Sequence, residues 1–175
     1  MASTTTLNDS YGSHVTSSAG FLLNDEMDDF TTQPGVPNAL FGLIQSEANA
    51  IAAGHRPLSS MSPTILLRDG KLSFVTGSPG GPTIISAVLL TVINWMRLGM
   101  DAQAAINAPR FHHQWMPDQI RIEKTTSPDT IAMLRQMGHT VIAATNIGEI
   151  AAIRVDGQWI EGAPDGRREG SALGY

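Results

Sequence analysis

A glycine-rich turn between two different apolar patterns constrains the fold of this sequence more than any other feature. Before the turn, residues 61–68 and 72–77 are rich in β-forming side chains and are joined by Asp69-Gly70, a strong signal for a tight hairpin. After the turn, apolar residues recur at helical spacing over residues 84–98. The turn itself, residues 77–82, reads Gly-Ser-Pro-Gly-Gly-Pro. We therefore predict a β-hairpin, a turn and a helix that packs on the sheet of that hairpin.

Shorter patterns predict the remaining elements of an α+β fold. The apolar run at residues 20–23 indicates a strand, and Asp101 is typical of a residue that caps the start of a short helix. Ser127-Pro128 marks the start of another helix. Further strands are predicted at residues 119–123, 140–144, 150–155 and 158–160. Together these elements predict a single domain over residues 1–175, built as an antiparallel sheet with packed helices.

The composition excludes several classes of function. The chain has 16 acidic and 11 basic residues and a net charge of -5, without long blocks of either sign, which argues against nucleic acid as a partner. It has no cysteine, so disulfides, thiol nucleophiles and cysteine-bound zinc are excluded. The longest apolar stretch, residues 84–98, is shorter than the roughly 20 residues of a membrane span, so no membrane insertion is predicted. Because only 15% of the residues are charged, we expect another chain to cover part of the surface.

Two polar segments could bind the charged groups of a small molecule. Glu26, Asp28 and Asp29 place three carboxylates within four residues, which could hold an ammonium group or a hard metal ion. The alternative is a solvated acidic turn. Ser59 and Ser60 lie in a hydroxyl-rich segment before a strand and could donate hydrogen bonds to a carboxylate. Serine near proline is also ordinary turn chemistry, so both segments keep a structural alternative.

Two further motifs are ambiguous from their residues alone. Gly80 and Gly81, at the start of a predicted helix, could present backbone N–H groups to an oxyanion or a phosphate, or could simply form a turn. The segment lacks the Lys-Ser/Thr ending of a P-loop, so a nucleotide is not favoured. His112 and His113 are adjacent, and adjacent side chains of an extended chain point to opposite faces. We therefore predict packing and hydrogen bonding for these histidines and no metal site.

Five motifs occur in a fixed order along the chain. They are NDEMDDF at 24–30, PGVPN at 34–38, RPLSSMSPT at 56–64, GSPGG at 77–81 and NAPRFHHQ at 107–114. In this order and spacing, and with the ending APDGR at 163–167 and LGY at 173–175, they resemble the small subunit of γ-glutamyltransferases, also called γ-glutamyltranspeptidases. The resemblance extends over essentially the whole chain.

This resemblance implies an N-terminal-nucleophile hydrolase with an αββα sandwich. Such an enzyme is made as a precursor that cleaves itself, so that a threonine becomes the first residue of the small subunit and acts as the nucleophile. The γ-glutamyl group of glutathione passes to this threonine and then to water or to an amino-acid acceptor. The implied partners are γ-glutamyl substrates and the large subunit of the same precursor, with self-association as an alternative. No metal or organic cofactor is implied. The family suggests a periplasmic or extracellular location, which the sequence itself leaves open.

Five residues match the substrate-binding positions of the family. Glu26 and Asp29 match the positions that hold the α-ammonium group of the substrate, assisted by Asn8. Ser59 and Ser60 match the hydroxyl groups that bind its α-carboxylate, together with an arginine from the large subunit. The resemblance therefore gives the acidic and hydroxyl-rich segments one shared ligand.

Three residues match positions around the reacting bond, and one loop matches the lid of the pocket. Gly80 and Gly81 match the glycines of the oxyanion hole, and Thr6 matches the threonine that hydrogen-bonds the nucleophile. Residues 34–43 resemble the lid loop over the pocket, with Phe41 at the position of an aromatic gate.

The N-terminal segment departs from the family pattern. In the family, an additional strand and turn separate the nucleophile from the position of Thr6, whereas five residues precede Thr6 here. Thr4 and Thr5 are therefore out of register for the nucleophile, and a polypeptide of these residues alone is expected to lack it. Two alternatives remain open: a non-catalytic binding or interaction module of the same family, and a different hydrolase that uses Ser3 after removal of residues 1 and 2.

Overall fold

The computed structural model describes residue 2 and residues 5–174. The chain divides into two compact units: an N-terminal unit, Thr5–Ser60, and a C-terminal unit that contains the described residues from Met61 onward. In the part of the chain that the structure describes, no helix combines the length and the apolar character needed to cross a bilayer.

The C-terminal unit contains seven strands and three helices. Its strands are β1 (Thr64–Arg68), β2 (Lys71–Gly77), β3 (Phe111–His112), β4 (Ile120–Glu123), β5 (Val141–Ala144), β6 (Ala151–Asp156) and β7 (Trp159–Ala163). Its helices are α1 (Thr83–Met96), α2 (Ala102–Asn107) and α3 (Pro128–Gln136). This mixture of helices and largely antiparallel strands confirms the α+β class.

The larger sheet is antiparallel throughout, with the strand order β1-β2-β6-β7. The predicted hairpin is confirmed, since Arg68 pairs with Lys71 across the two-residue turn Asp69-Gly70. Both turn residues have positive φ, 52° and 75°, as the twist of a tight hairpin requires. Glycine and aspartate tolerate this conformation better than most residues, which explains why the local sequence was a reliable guide here.

The smaller sheet has the order β3-β4-β5 and contains a pairing that the sequence did not predict. Strands β3 and β4 are antiparallel, but β4 and β5 are parallel. Helix α3 lies between β4 and β5 in the chain and provides the crossover that a parallel pair needs. Ser127 precedes this helix as predicted, although its side chain makes no capping hydrogen bond.

Helix α1 packs on one face of the larger sheet and forms the core with α2. The aromatic rings of Phe74 on β2 and Trp95 on α1 are stacked, with 4.7 Å between their centroids. Phe74, Ala87 and Ile106 are completely or almost completely buried in this cluster. The helix predicted at residues 84–98 is thus confirmed with slightly different ends. The Asp101 side chain accepts a 2.6 Å hydrogen bond from the Ala104 N–H and caps α2 as predicted.

The opposite face of the larger sheet carries an apolar row. Ile65 on β1 pairs with Val75 on β2, which pairs with Ile153 on β6. The side chains of Ile65 and Ile153 are 48% and 45% exposed. An exposed apolar row on a sheet face is typical of a surface that another layer covers.

The N-terminal unit consists mainly of loops. Its regular elements are two 3-10 helices, Glu26–Asp29 and Glu47–Asn49, and Phe30 and Thr31 are buried between the loops. The predicted strand at residues 20–23 is wrong, since only Leu22 forms a bridge, with Thr16. The Phe21 carbonyl and the Leu23 N–H form hydrogen bonds with the backbone of Ser17 and Val15, but the pairing does not extend beyond this one bridge, and the side chain of Phe21 is exposed.

Candidate functional site

The acidic turn, Glu26–Asp29, is a 3-10 helix whose first and last carboxyl groups contact each other. The Glu26 side chain is hydrogen-bonded to Asp29. Burial, this hydrogen bond and the negative charges of Asp29 and Asp25 raise the pKa of Glu26 from its ordinary 4.5 to about 7. Glu26 is therefore partly protonated near neutral pH, and a cation placed beside the pair would favour its ionised form.

The segment of Thr6 and Asn8 is attached to the acidic turn through Asp25. The Asn8 side-chain amide donates to the Asp25 carbonyl at 3.4 Å, and the Asp25 N–H donates to the Leu7 carbonyl at 3.2 Å. The Asn8 N–H donates to the Thr6 hydroxyl oxygen at 2.8 Å. Asn8 has φ 75°, a left-handed conformation that asparagine tolerates. The structure thus brings Thr6, Asn8 and the acidic turn together.

Asn49 connects the acidic turn to the serine segment. Its side-chain Nδ2 donates to the Asp29 carbonyl at 2.7 Å, and its Oδ1 accepts from the Leu58 N–H at 2.8 Å. Leu58 directly precedes Ser59, which is exposed, and Ser60, which is half-buried. The predicted ammonium-binding and carboxylate-binding segments are therefore held together within the N-terminal unit by a residue that no sequence motif identified.

The loop at residues 34–43 is held by internal hydrogen bonds. The Asn38 Oδ1 accepts from the Phe41 N–H at 2.9 Å and from the Leu43 N–H at 3.2 Å. The Asn38 N–H donates to the Leu43 carbonyl, and Pro37 forms a bridge with Ile44. Phe41, the predicted gate, is half-buried. The loop is thus an ordered element within the N-terminal unit, and its action as a lid stays a prediction.

Gly80 and Gly81, in the C-terminal unit, adopt conformations that suit glycine, with φ 136° and 56°. The Gly80 carbonyl accepts from the N–H and hydroxyl of Thr83 at 3.2 and 2.7 Å. The Pro79 carbonyl accepts from the Ser78 hydroxyl at 2.7 Å. In a trans peptide the N–H points away from the preceding carbonyl, so these bonds fix the directions of the Gly80 and Gly81 N–H groups. Such fixed donors are what an oxyanion hole requires.

The segment around Gly148 packs directly against this glycine turn. A Cβ atom at Gly80 would lie 3.2 Å from the Gly148 Cα, and one at Gly148 would lie 2.7 Å from the Ser78 Oγ. The Glu149 N–H donates to the Ser78 hydroxyl oxygen at 2.8 Å. Local sequence patterns gave no sign of these contacts, because residues 78 and 148 are far apart in the chain.

A buried ion network, formed by Arg110, Glu123, Asp165 and Arg167, anchors the Gly148 segment. Arg110 donates to the Ile147 carbonyl at 3.0 Å, and Glu123 accepts from the Ile147 N–H at 3.0 Å. Arg167 contacts the Glu123 and Asp165 carboxylates at 2.5 and 3.0 Å. Burial alone would raise the pKa values of Glu123 and Asp165, but arginine and backbone N–H donors hold both pKa values below their ordinary range.

The histidines pack and form hydrogen bonds. His112 is buried, its Nδ1 lies 2.8 Å from the Ser86 hydroxyl, and its Nε2 lies 3.0 Å from the Gln114 Oε1. Burial lowers the pKa of His112. His113 contacts Asp118 at 3.0 Å. Within residue 2 and residues 5–174, no group of three or more histidine and carboxylate side chains is arranged to hold a metal ion.

The structure divides the predicted site between the two units. The N-terminal unit contains the residues expected to bind the substrate and to form the lid; they are Thr6, Asn8, Glu26, Asp29, Phe41, Ser59 and Ser60. The C-terminal unit contains Gly80 and Gly81. Convergence of the two sets on one pocket stays a prediction. Met1, Ser3, Thr4 and Tyr175 lie outside the described residues, and the hypotheses about Ser3 and Thr4 therefore concern that undescribed part of the chain.

The fold is that of the N-terminal-nucleophile hydrolases. A crystal structure of an acivicin-inhibited γ-glutamyltranspeptidase superposes with a TM-score of 0.91 and 46% sequence identity, over 95% of this chain and 92% of that chain. The profile of the gamma-glutamyltranspeptidase family matches residues 1–175. The chain therefore belongs to the γ-glutamyltranspeptidase family.

Curated relatives agree with this assignment. The chain is 50% identical to the glutathione hydrolase proenzyme of Pseudomonas sp. (strain A14), over 98% of this chain and 32% of that proenzyme. It is 48% identical to the glutathione hydrolase proenzyme of Escherichia coli (strain K12), over 95% of this chain and 29% of that proenzyme. The chain thus spans about a third of the length of these relatives.

Proposed function

We propose that this chain is the portion of a γ-glutamyltransferase that binds the γ-glutamyl group of glutathione and related amides, for transfer to water or to amino-acid acceptors. The observation that carries the proposal is the acidic turn, in which Glu26 and Asp29 are hydrogen-bonded to each other and Asn8 is attached alongside. An ammonium group beside this pair would form charge-assisted hydrogen bonds and relieve the repulsion between the carboxylates.

The second charged group of the substrate would bind at the serine segment. The hydroxyl groups of Ser59 and Ser60 are proposed to donate to the α-carboxylate, and an arginine of a large subunit would complete this site. The link through Asn49 supports this role, since it holds the serine segment in the same unit as the acidic turn. The α-ammonium and α-carboxylate groups would then identify the substrate as an α-amino acid derivative.

The glycine turn would act on the reacting bond. A hydroxyl oxygen attacks the γ-carbonyl carbon, and the carbonyl oxygen becomes an oxyanion that the N–H groups of Gly80 and Gly81 stabilise. The C–N bond then breaks, the leaving amine takes up the proton that the hydroxyl group lost, and the γ-carbonyl carbon remains joined to the hydroxyl oxygen as an ester. Attack by water or an amine on this ester releases the γ-glutamyl group. No residue of the chain is assigned as the nucleophile, and the hydrogen bonds of Ser78 and Thr83 support the role of the glycines.

A large subunit of the same precursor is the proposed partner. The apolar row of Ile65, Val75 and Ile153 lies on the sheet face opposite α1, where a second sheet would complete the αββα sandwich. The length comparison is consistent with this partner, because the relatives are proenzymes of which the chain spans about a third. Self-association of two copies of the chain through the same face is the alternative, which analytical ultracentrifugation of an Ile153→Lys variant would test.

The binding role is tested by comparing Asp29→Asn with Asp28→Asn in the complete gene product that carries this chain. Both variants remove one negative charge from the acidic turn, but Asp28 is exposed and takes no part in the contact with Glu26. We expect Asp29→Asn to raise the KM for a γ-glutamyl anilide about 10- to 100-fold, because the ammonium group loses a charge-assisted hydrogen bond. Equal effects of the two substitutions would contradict the proposal.

A calorimetric measurement of L-glutamate binding by the same gene product, alongside the anilide assay, distinguishes the alternative within the family. A complete gene product that binds L-glutamate but shows no anilide turnover would indicate a non-catalytic binding module. A product that neither binds L-glutamate nor turns over the anilide would reject both functions.

A further inference from the structure

Both functional atoms of the Asn49 side chain are used, and each of them bonds a different segment. Nδ2 donates to the Asp29 carbonyl at 2.7 Å, while Oδ1 accepts from the Leu58 N–H at 2.8 Å. The partners define the orientation of the amide, because a carbonyl only accepts and an N–H only donates. Asn49 is therefore a directional bridge between the last residue of the acidic turn and the residue before Ser59.

The backbone of Asn49 is held as firmly as its side chain. Asn49 ends the short 3-10 helix Glu47–Asn49, and its N–H donates to the Ser46 carbonyl at 3.2 Å. Its own carbonyl accepts from the Thr31 N–H at 2.9 Å. A side chain on a fixed backbone transmits a defined spacing between its two partners, whereas a mobile one would not.

The Asn49 bridge matters because most of the chain between Asn49 and Leu58 is exposed. Residues 51–56 are exposed to solvent, and Gly54 has φ 77° in a turn closed by the 3.1 Å hydrogen bond from the His55 N–H to the Ala52 carbonyl. Such a segment does not by itself fix the position of the residues that follow it. The hydrogen bond from the Leu58 N–H to Asn49 attaches the serine segment to the body of the N-terminal unit.

A ligand with an ammonium and a carboxylate group on one carbon requires a fixed distance between its two binding segments. If the acidic turn and the serine segment shift relative to each other, only one of the two charged groups can be bound well. A preformed spacing avoids the entropic cost of ordering the segments when the ligand binds. Ligands with only one of the two groups do not depend on this spacing.

We propose that Asn49 is a positioning residue that sets the spacing between the acidic turn and the serine segment, and so makes the site selective for ligands with both α-groups. This inference rests on the proposed function of the chain. Asn49 itself touches neither charged group of the ligand in this proposal. It acts through the Asp29 carbonyl and the Leu58 N–H.

Gln45 provides a matched control. Its Nε2 donates to the same Asp29 carbonyl as Asn49, at 3.3 Å, and Gln45 contributes no bond to the Leu58 N–H. Gln45→Ala therefore removes one hydrogen bond from the acidic turn and leaves the bridge intact. Asn49→Ala removes both bonds of the bridge. Asn49→Asp keeps an acceptor for Leu58 but places a carboxylate oxygen against the Asp29 carbonyl.

The experiment measures inhibition constants against hydrolysis of L-γ-glutamyl-p-nitroanilide by the complete gene product. The inhibitors are L-glutamate, which has both α-groups, glutarate, which lacks the ammonium group, and 4-aminobutyrate, which lacks the α-carboxylate. For Asn49→Ala we expect the inhibition constant of L-glutamate and the KM of the anilide to rise about tenfold, for two lost hydrogen bonds. In the same variant, the inhibition constants of glutarate and 4-aminobutyrate should change less than about twofold. In Gln45→Ala, all three inhibition constants and the KM should change less than about twofold. We expect kcat to change less than KM.

A purely structural role of Asn49 would give a different pattern. Equal changes for all three inhibitors, or no change for any of them, would overturn the inference while leaving the proposed function intact. A wild-type protein that L-glutamate does not inhibit would overturn the proposed function and this inference with it. If Asn49→Ala does not fold, Asn49→Asp and Asn49→Ser give the same comparison, and the same outcomes apply.

Discussion

Arg110 and Asp165 form a buried ion pair, with 2.7 Å between the guanidinium Nη2 and the carboxylate Oδ2. Their side chains are 1% and 4% exposed. Arg110 also donates to the carbonyls of Ile106, Ile147 and Gly148, so it joins the end of α2 to the segment that packs against the glycine turn. Pairing and hydrogen bonding offset the cost of removing these charges from water. The stability of the C-terminal unit and the geometry of the glycine turn are therefore coupled.

Replacing Arg110 by methionine should destabilise the protein strongly. The change removes the hydrogen bonds to three carbonyls, and it leaves the buried Asp165 carboxylate with Arg167 as its remaining ion-pair partner. We therefore expect the free energy of unfolding to fall by about 3 to 5 kcal/mol. Urea denaturation followed by circular dichroism measures this value. Arg154→Met is the control: Arg154 forms a half-buried pair with Glu161 and an exposed pair with Asp156, and its loss should cost no more than about 1 kcal/mol. Similar losses for both variants would contradict the prediction.

The buried network should make the protein lose stability in acid. The pKa values of Glu123 and Asp165 are depressed in the folded state, so both carboxylates stabilise the fold above their unfolded values, 4.5 and 3.8. This stabilisation is lost as the pH falls below these values and through the depressed folded pKa values. Glu26 acts in the opposite direction, because its pKa of about 7 favours folding as the pH falls from about 7 towards 4.5.

The loss of folding stability should therefore appear below pH 4.5. Thermal unfolding across this range should show a falling Tm in the wild type and a flatter profile in Glu123→Gln, which lacks one of the depressed carboxylates. A wild-type Tm that stays constant or rises with acidification in this range would contradict the prediction.

Gly148→Ala should disturb the glycine turn and destabilise the protein more than Gly157→Ala does. At Gly148 the new Cβ would lie 2.6 Å from the Ala87 Cβ and 2.7 Å from the Ser78 Oγ, in addition to the strain of φ 67°. Gly157 has a similar φ of 62°, and a Cβ added there would have no atom within 4 Å. Gly157→Ala therefore measures the cost of the backbone strain without any overpacking. We expect a cost of about 1 to 2 kcal/mol at Gly157. Overpacking should add about 1 to 3 kcal/mol at Gly148.

Thermal or urea unfolding measures both costs. In the proposed enzyme, Gly148→Ala should also lower kcat for the γ-glutamyl anilide, since the displaced Ser78 no longer fixes the Pro79 carbonyl. A Gly148→Ala variant as stable and active as Gly157→Ala would show that the Gly148 segment does not position the glycine turn.

The elements that the sequence predicted well are those defined by neighbouring residues. The Asp69-Gly70 hairpin, the Asp101 cap and the start of α3 at Pro128 each depend on backbone preferences that act within a few residues. The direction of β5 relative to β4 depends on a crossover and not on periodicity, so the sequence did not reveal their parallel pairing.

The supporting contacts of the site leave no trace in the local sequence. Glu123 and Arg167 are 44 positions apart, and Asn49 joins Asp29 to Leu58 by side-chain bonds to backbone atoms, which produce no periodic pattern. The residues proposed to touch the ligand, such as Glu26 and Ser59, were found through motif chemistry and the family resemblance. A half-buried polar residue such as Asn49, at the end of a short 3-10 helix, gives no such signal before its partners are known.

Binding of an α-amino acid should release a proton from Glu26. Its pKa is about 7 in the unliganded protein, because burial and the neighbouring carboxylates disfavour its charge. A bound ammonium group favours the ionised form and lowers this pKa, so affinity for L-glutamate should rise with pH by up to about tenfold per unit until it levels off above about pH 7.

Calorimetric titration at about pH 7 in two buffers of different ionisation enthalpy measures the released protons directly. Glu26→Gln should abolish the buffer dependence, whereas Asp28→Asn should retain it, since Asp28 is exposed on the same turn. Proton uptake by the wild type, or a release that persists in Glu26→Gln, would place the titrating group elsewhere and remove the acidic turn from the ammonium site.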